Sequence, residues 1–416
     1  MAGDTTVVAA GSAGAAEKNR EVGAGTAAAA EKTREEAASA VDVTVVVPCY
    51  NVADYLVQCL DSIAANDRVV LEVLVVNDGS KDNTLSIAQE AASHDTRFRV
   101  IDKPNGGYGA AVNRGFSEAR GRYVAIVEPD DYLEPHMFDD LFELAARYAT
   151  GGGENAAAPT TLPSTHATSA GSWPDIVKSS YWRIVMPQTP QEERRHCLYY
   201  GRITPAHQPF TLAEAPRLIQ HHPSIWSALY RRDFLREEGI AFLEAPGAGW
   251  VDNPFLIQTM LAARSIVYTD SAYYNYREDL PTSSSKTRTS TLPFERLDNM
   301  FCIIEGKNVQ NMGILTAFYT IGFRYCGEAI ANGGLEDPVM RPLIVAAFER
   351  MRPDVIMACT NVSPGLRKLA FELTGRPVPA LSKVAYYKNL VREFAYTARV
   401  EGLAFATRRI GLLFHR

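Results

Sequence analysis

The 416-residue sequence has no C-x-x-C pair; its six cysteines, at positions 49, 59, 197, 302, 326 and 359, show no metal-ligand spacing. That excludes a cysteine-built metal site and describes the reduced, mostly buried cysteines of a cytosolic protein. No uninterrupted apolar run approaches the roughly 20 residues needed to span a bilayer. The opening Met-Ala-Gly-Asp is followed by neither a basic region nor a sustained apolar core, so no signal peptide is read there. A positive balance is also missing, since the formal charge of -6 argues against a general nucleic-acid binder. Residues 1–40 lack any aromatic or leucine side chain and contain fourteen alanines, which describes a disordered or transiently helical tail.

What is present is an ordinary globular composition, 46% hydrophobic and 22% charged, in a chain long enough for two or three structured units. The charge is uneven: from Leu366 onward ten Lys or Arg face three acids. From Val43 apolar runs alternate with helical stretches. Strands are expected at Val43–Val47, Val69–Val76, Phe98–Ile101 and Tyr123–Val127, with helices at Ala53–Ala65, Asn83–Ala92 and Gly109–Ala119 between them. This order predicts an α/β fold whose mainly parallel sheet carries helices on both faces. A helix at Met137–Tyr148 and a low-complexity insertion at 150–172 follow. Beyond them the pattern predicts a strand at Asp175–Val185 and a helix at Ser224–Glu238 with Trp226, Leu229, Tyr230 and Leu235 inward. A helix at Phe255–Ala263 and short strands at Ile266–Tyr268 and Ala272–Tyr276 come next, and everything after Pro293 reads as helical.

The polar residues carry the functional information. Pro48-Cys49-Tyr50-Asn51, Asn77-Asp78-Gly79-Ser80, Asp102 to Gly107 and Glu128-Pro129-Asp130-Asp131 each follow a predicted strand. All four clusters therefore fall on the carboxyl edge of one sheet, where ligands of open α/β sheets bind. The crowded carboxylates Glu128, Asp130 and Asp131 repel one another unless a cation sits among them, and hard oxygen donors suit Mg2+ or Mn2+. Their other reading is a turn in which Asp130 or Asp131 caps the next helix. Tyr50 and Asn51 can hold a base or form a capping turn, and Asp78 can accept from a base or ribose or serve a turn. Gly106, Gly107 and Gly109 allow close backbone approach to a ligand but do not match the dinucleotide fingerprint.

These segments resemble the successive motifs of family 2 glycosyltransferases: Val45 to Asn51, Val75 to Thr84, Asn105-Gly-Gly-Tyr-Gly109, Glu128 to Pro135, Pro223 to Arg232 and Trp250 to Phe255. The resemblance covers about residues 43–285 and implies a GT-A fold that transfers a sugar from a nucleotide donor with inversion. It implies that Pro48, Tyr50, Asn51, Asp78, Asn105, Gly106 and Glu128 line the donor site. Asp130, with Asp131, then holds the metal, and Asp252 serves as general base, where its other reading is a helix N-cap. Three positions depart from the pattern: Glu128 stands for Asp, Val112 for Arg, and Val251 for Glu. Lys103 or Arg288 is a candidate to replace the missing positive charge, and Arg277, Lys286 and Arg288 read either as a clamp on the diphosphate or as a solvated charge run. His221 and His222 are read as a solvated loop pair.

The resulting expectation is a GT-A domain over residues 41–290 and a helical C-terminal region over 291–416. Its basic tail, with Val400, Leu403, Thr407, Ile410 and Phe414 at helical spacing, either lies on an anionic membrane surface or packs on the catalytic domain. The expected activity is transfer from a nucleotide-sugar donor, with UDP as the nucleotide, to a glycan or lipid-linked acceptor at the cytoplasmic side, with no nucleic-acid partner. Transfer to a polyprenyl phosphate and a non-catalytic nucleotide- or glycan-binding module remain the alternatives.

Overall fold

The computed structural model describes residues 41–149, 172–278, 280 and 291–414, with side chains to residue 408. The expectations for residues 1–40, for the insertion at 150–171, and for Lys286 and Arg288 lie outside the described residues.

The first half alternates as its periodicity predicts: β1 (Val43–Cys49), α1 (Ala53–Ala64), β2 (Leu71–Asn77), α2 (Thr84–His94), β3 (Phe98–Asp102), α3 (Tyr108–Glu118) and β4 (Tyr123–Ile126). Every residue of β1, β2 and β4 is buried, as parallel strands covered on both faces must be. Val45, Val47 and Cys49 face the larger core with Leu56, Cys59, Leu60 and Ile63 of α1. Val46, Leu74, Val76, Ile101 and Ala111 form a second apolar layer under α3.

The chain continues through β5 (Tyr132–Leu133), α4 (Met137–Ala149), β6 (Ile176–Val185), β7 (Glu193–His196) and a 3-10 turn at Pro216–Ile219. It then forms β8 (Ala228–Arg231), α5 (Arg232–Glu237), α6 (Asp252–Ala262) and β9 (Ile266–Arg277). Among the described residues nine strands form one sheet in the order β3-β2-β1-β4-β8-β6-β9-β5, with β7 beside β6. Pairing is parallel from β3 to β4 and between β6 and β9, and antiparallel at β4–β8, β8–β6, β9–β5 and β6–β7.

The helix expected at 224–238 is corrected here: residues 224–227 are a turn, 228–231 a strand, and only 232–237 a helix. The apolar residues Trp226, Leu229, Tyr230 and Leu235 are buried as expected, but by a different backbone. Tertiary context decides it. The Lys178 amine, wholly buried on β6, donates to Ser224 O, Ser224 Oγ and Ser227 Oγ at 2.8, 3.2 and 3.0 Å, which pins the turn. Ala228–Tyr230 then fills the slot between β6 and β4, where its backbone groups are paired on both sides. Similarly, the two short strands expected at 266–276 are one strand whose register shifts opposite Ser179–Tyr181.

From residue 292 the described chain is helical: α7 (Leu292–Gly306), α8 (Met312–Ala331), α9 (Met340–Glu349), α10 (Pro353–Ala358), α11 (Pro364–Leu373), α12 (Lys383–Glu401) and α13 (Leu403–Phe414). Phe301, Phe318 and Phe348 are buried between these helices. Between α12 and α13 the chain turns at Gly402, with φ at +88°, so the apolar stripe expected from Val400 to Phe414 does not lie on one continuous helix.

Helix α3 approaches the sheet closely at Gly115, where a Cβ would stand 2.4 Å from Val46 Cγ1. Alanine there gains helix propensity of about 1 kcal/mol but overpacks the joint by roughly 1–3 kcal/mol. Gly115→Ala is therefore expected to lower the urea midpoint, while Gly365→Ala, which meets nothing within 4 Å in α11, raises it slightly. Equal stabilisation of both variants would contradict this packing.

Candidate active site

The sheet order creates the crevice. The chain leaves β1 toward β2 on one side and returns to β4 on the other, so the loops after β1 and β4 diverge at a topological switch point. After β1, the Tyr50 ring is 47% exposed and Asn51 takes a φ of +53°. Asn51 is locked there: its N–H donates to Ser80 Oγ at 3.1 Å and its Oδ1 accepts from Lys81 N at 2.8 Å. Pro48 is buried inside β1, opposite Val76.

Asp78 lies just after β2, where its side chain organises the neighbouring loop. Its carboxylate accepts from Gly106 N and Gly107 N, both at 2.9 Å, and is ion-paired with Lys103. Asn105 closes the same loop by donating to Asp78 O at 2.9 Å. Asp78 therefore shapes the 103–107 loop, and Lys103 is not free to replace the missing arginine. Two glycines here are packed closely against the protein: a Cβ on Gly107 would stand 2.1 Å from Ala245 O, and one on Gly109, in α3, 2.1 Å from Leu243 O. Asn113 completes the joint, accepting from Phe242 N at 2.9 Å and donating to Phe242 O at 3.0 Å. Val112, at the departed arginine position, is wholly buried.

The carboxylates after β4 separate by role. Asp131 is 1% exposed; its Oδ2 accepts from Tyr274 OH at 2.9 Å and its Oδ1 from Arg277 N at 2.8 Å. It caps no helix. Glu128 accepts at Oε1 from Tyr108 OH at 2.5 Å, and its N–H donates to Tyr274 OH at 3.0 Å. Burial pushes Glu128 up to about 8, against the Tyr108 hydrogen bond and with the charges of Asp130 and Asp252 adding to the rise. Asp130 is also raised by burial; apart from its own N–H, its carboxylate has no hydrogen-bond partner among the described residues.

Asp252, more than 120 residues further along, stands within the electrostatic reach of Glu128 and Tyr108. It is the first residue of α6, and Oδ1 accepts from Asn253 N and Nδ2, both at 3.0 Å. The N-cap position is Val251, so Asp252 stands inside the helix and does not occupy the cap. Burial holds its pKa above the usual carboxylate range. Asn253 in turn accepts from Tyr325 OH of α8 at 3.1 Å, which brings the helical region to the site.

Other residues correct the sequence reading or are missing from it. Arg277 ends β9 at 6% exposure and donates to Asp130 O and Gln58 Oε1, so it braces the carboxylate turn from below. His222 is no solvated loop residue: it packs 4.7 Å from the Tyr276 ring and 5.9 Å from Trp226, and burial pushes its pKa down to about 3. Its Nδ1 accepts from Ser224 N at 3.1 Å. Trp226 stacks on Tyr274 at 3.9 Å. Tyr108, Tyr274 and Lys178 were not among the sequence candidates; the tyrosine alternation in Tyr273-Tyr274-Asn275-Tyr276 is the signal that points to the second.

The free Asp130 carboxylate is a hard donor that fits Mg2+ or Mn2+ arriving with phosphate and water ligands of its own. Elsewhere, Asp67, His136 and Asp139 bring ligand atoms within 4.8 Å of one another. Asp139 already accepts from the N–H groups of Asp67, Arg68 and Val69 at 3.4, 3.0 and 3.1 Å, a structural clamp on the turn before β2.

Folding raises the buried carboxyls, so the folded chain binds protons more tightly than the unfolded one. The stability that Glu128 contributes is complete below its ordinary value of 4.5 and is lost as pH rises through about 8. In metal-free buffer the thermal midpoint is expected to fall over that window, and Glu128→Gln to flatten the fall. An identical slope in the variant would remove Glu128 as its source.

Comparison with known proteins is consistent with this geometry. Residues 44–155 match the sequence model of "Glycosyl transferase family 2". The uncharacterized glycosyltransferase EpsJ of Bacillus subtilis is 30% identical over 249 residues, 57% of this chain and 61% of that protein. Chondroitin synthase of Pasteurella multocida is 46% identical over 94 residues, 22% of this chain and 10% of that protein. The chain thus spans about three fifths of the length of EpsJ and of the putative glycosyltransferase EpsH, also of Bacillus subtilis. Among solved structures, S. aureus TarS 1–349 superposes with a TM-score of 0.58 at 21% identity, over 87% of this chain and 92% of that one. That likeness establishes a shared GT-A architecture, and within it residues 44–155 are the stretch that resembles glycosyl transferase family 2.

Proposed function

We propose that this protein is an inverting glycosyltransferase that moves a sugar from a nucleoside-diphosphate donor to a hydroxyl of a surface glycan. The observation that carries the reading is the gathering of Asp252 into the same half-buried carboxylate group as Glu128 and Asp130, at the mouth of the sheet. Uridine is the proposed base, supported by the structure of TarS in complex with UDP-GlcNAc, which shares the fold.

In the proposed reaction the acceptor oxygen attacks the anomeric carbon as the bond from that carbon to the diphosphate breaks, and Asp252 takes the hydroxyl proton. Only one Asp252 oxygen is occupied by Asn253, which leaves the other to receive it. Its pKa, raised by burial, strengthens it as a base. A divalent cation on Asp130 would neutralise charge on the departing diphosphate. Asp131 holds the turn through Tyr274 and Arg277 rather than offering a free ligand, so the proposal narrows the metal carboxylate to Asp130. Tyr50 supplies an exposed aromatic face for the base.

Asp252→Asn is expected to cut sugar transfer by about 100- to 10,000-fold while leaving thermal stabilisation by UDP intact. Asp130→Ala should instead abolish the manganese-dependent part of that stabilisation. No stabilisation by any nucleoside diphosphate in the folded parent would end the donor-site reading. Full transfer by Asp252→Asn with a phosphate acceptor would favour a polyprenyl phosphate substrate.

An anionic membrane surface is the proposed partner of the tail. No helix among the described residues is long and apolar enough to cross a membrane. On α12, however, Val384, Tyr387 and Val391 are 65%, 62% and 67% exposed, and Lys383, Lys388 and Arg392 flank them. Co-sedimentation with phosphatidylserine vesicles should fall sharply in Lys383→Glu/Lys388→Glu/Arg392→Glu, and binding that is unchanged would leave α12 without this role.

A further inference from the structure

A cavity of about 380 Å³ lies outside the carboxylate crevice, where the 3-10 turn at 216–219, α8 and α12 meet. Its volume is that of a small-ligand cleft. Three charged side chains reach it, and two are already committed. Arg202 is paired with both oxygens of Glu393, at 3.0 and 2.9 Å, and lies 3.3 Å over the Tyr396 ring. Glu214 accepts from Thr211 N and Oγ1 at 2.9 and 3.2 Å.

The third, Arg217, is half-buried, and its guanidinium has no hydrogen-bond or ion-pair partner among the described residues. Burial lowers its pKa, and the charge of Arg202 adds to the effect, with Glu393 opposing it. An arginine remains charged in proteins, so this desolvated and repelled cation is the strongest unmet electrostatic demand in the cavity. Around it stand neutral hydrogen-bonding groups. The side chains of Thr204, Gln220, Thr360 and Asn389 make no hydrogen bonds within the described protein, which suits the hydroxyls of a sugar.

The cavity shares two elements with the proposed catalytic site. The 3-10 turn runs into Gln220 and His222, and His222 packs on Tyr276. Helix α8 lines the cavity with Thr316 and Thr320 and, five residues on, places Tyr325 against Asn253 beside Asp252. That interval is about 7.5 Å of helix rise.

We propose that this cavity is an acceptor subsite for an anionic sugar unit, one bearing a phosphate or a carboxylate, with Arg217 as its charge partner. The proposal rests on the glycosyltransferase reading for the word acceptor, and on the cavity alone for the anion.

The test is thermal stabilisation of the full chain by glucuronate, by inorganic phosphate and, as the neutral control, by glucose, at matched ionic strength. Each titration is repeated with manganese and UDP present. Glucuronate or phosphate should raise the midpoint and glucose should not; whichever anion acts identifies the acidic group. Arg217→Gln should weaken that response about tenfold or more, the loss of one hydrogen bond to a charged group. Asn389→Asp, on the outer helix α12, should do the same by placing a carboxylate in the cavity, which guards against a folding defect in the first variant. Neither variant should change the response to UDP. Absence of an anion response in the parent, or a response that both variants retain, overturns the subsite. An Arg217-dependent anion response in a protein that ignores UDP keeps the anion site and removes the donor reading instead.

Discussion

The carboxylate of Asp131 is the constraint on which the site depends. It joins the end of β4 to β9, strands separated in the sheet by β8 and β6, by accepting from Tyr274 OH and Arg277 N. Two groups held by that latch then set the neighbouring acids. Tyr274 OH accepts from Glu128 N, and the Arg277 guanidinium donates to Asp130 O. The latch is buried and fully hydrogen-bonded, so moving either partner leaves polar groups unpaired in a region with little water to receive them. The cost of rearrangement keeps Glu128 and Asp130 at the crevice.

A second set of contacts works from the opposite wall. The 103–107 loop is organised by Asp78, and the 242–247 loop is fastened by Asn113 and by the absence of side chains at Gly107 and Gly109. Residue types that suggest ligand contact are thus used to fit one loop of the protein against another. These loops leave open the Tyr50 face, the carboxylates of Glu128 and Asp130, and one oxygen of Asp252. Burial raises the pKa of all three acids, a cost that persists because the surrounding packing enforces it.

The C-terminal helices take part in this arrangement. Tyr325 of α8 holds Asn253, which holds Asp252, and the same helix lines the cavity that contains Arg217. The Tyr325 contact beside Asp252 and one wall of the cavity that contains Arg217 are therefore carried by one helix. Long helices transmit position well because their backbone groups are satisfied internally.

The sequence by itself determined the alternation of strands and helices from Val43 to Ile126. It also determined the fall of four polar clusters at strand ends, because buried parallel strands need unbroken apolar runs and leave polar residues only at their edges. It brought forward Asp130 and Asp252 as candidates through their motifs. It did not determine that residues 228–231 are a strand, because that depends on a slot between β4 and β6 and on Lys178 pinning the turn before it. Nor did it separate Asp131 from Asp130, or reveal Tyr108, Tyr274 and the packing of His222. Those assignments depend on which side chains meet across the sheet, and periodicity records only which face a residue occupies. Contacts between residues more than a hundred positions apart were left to the tertiary structure, and they divide the acidic residues into braces and candidate reagents.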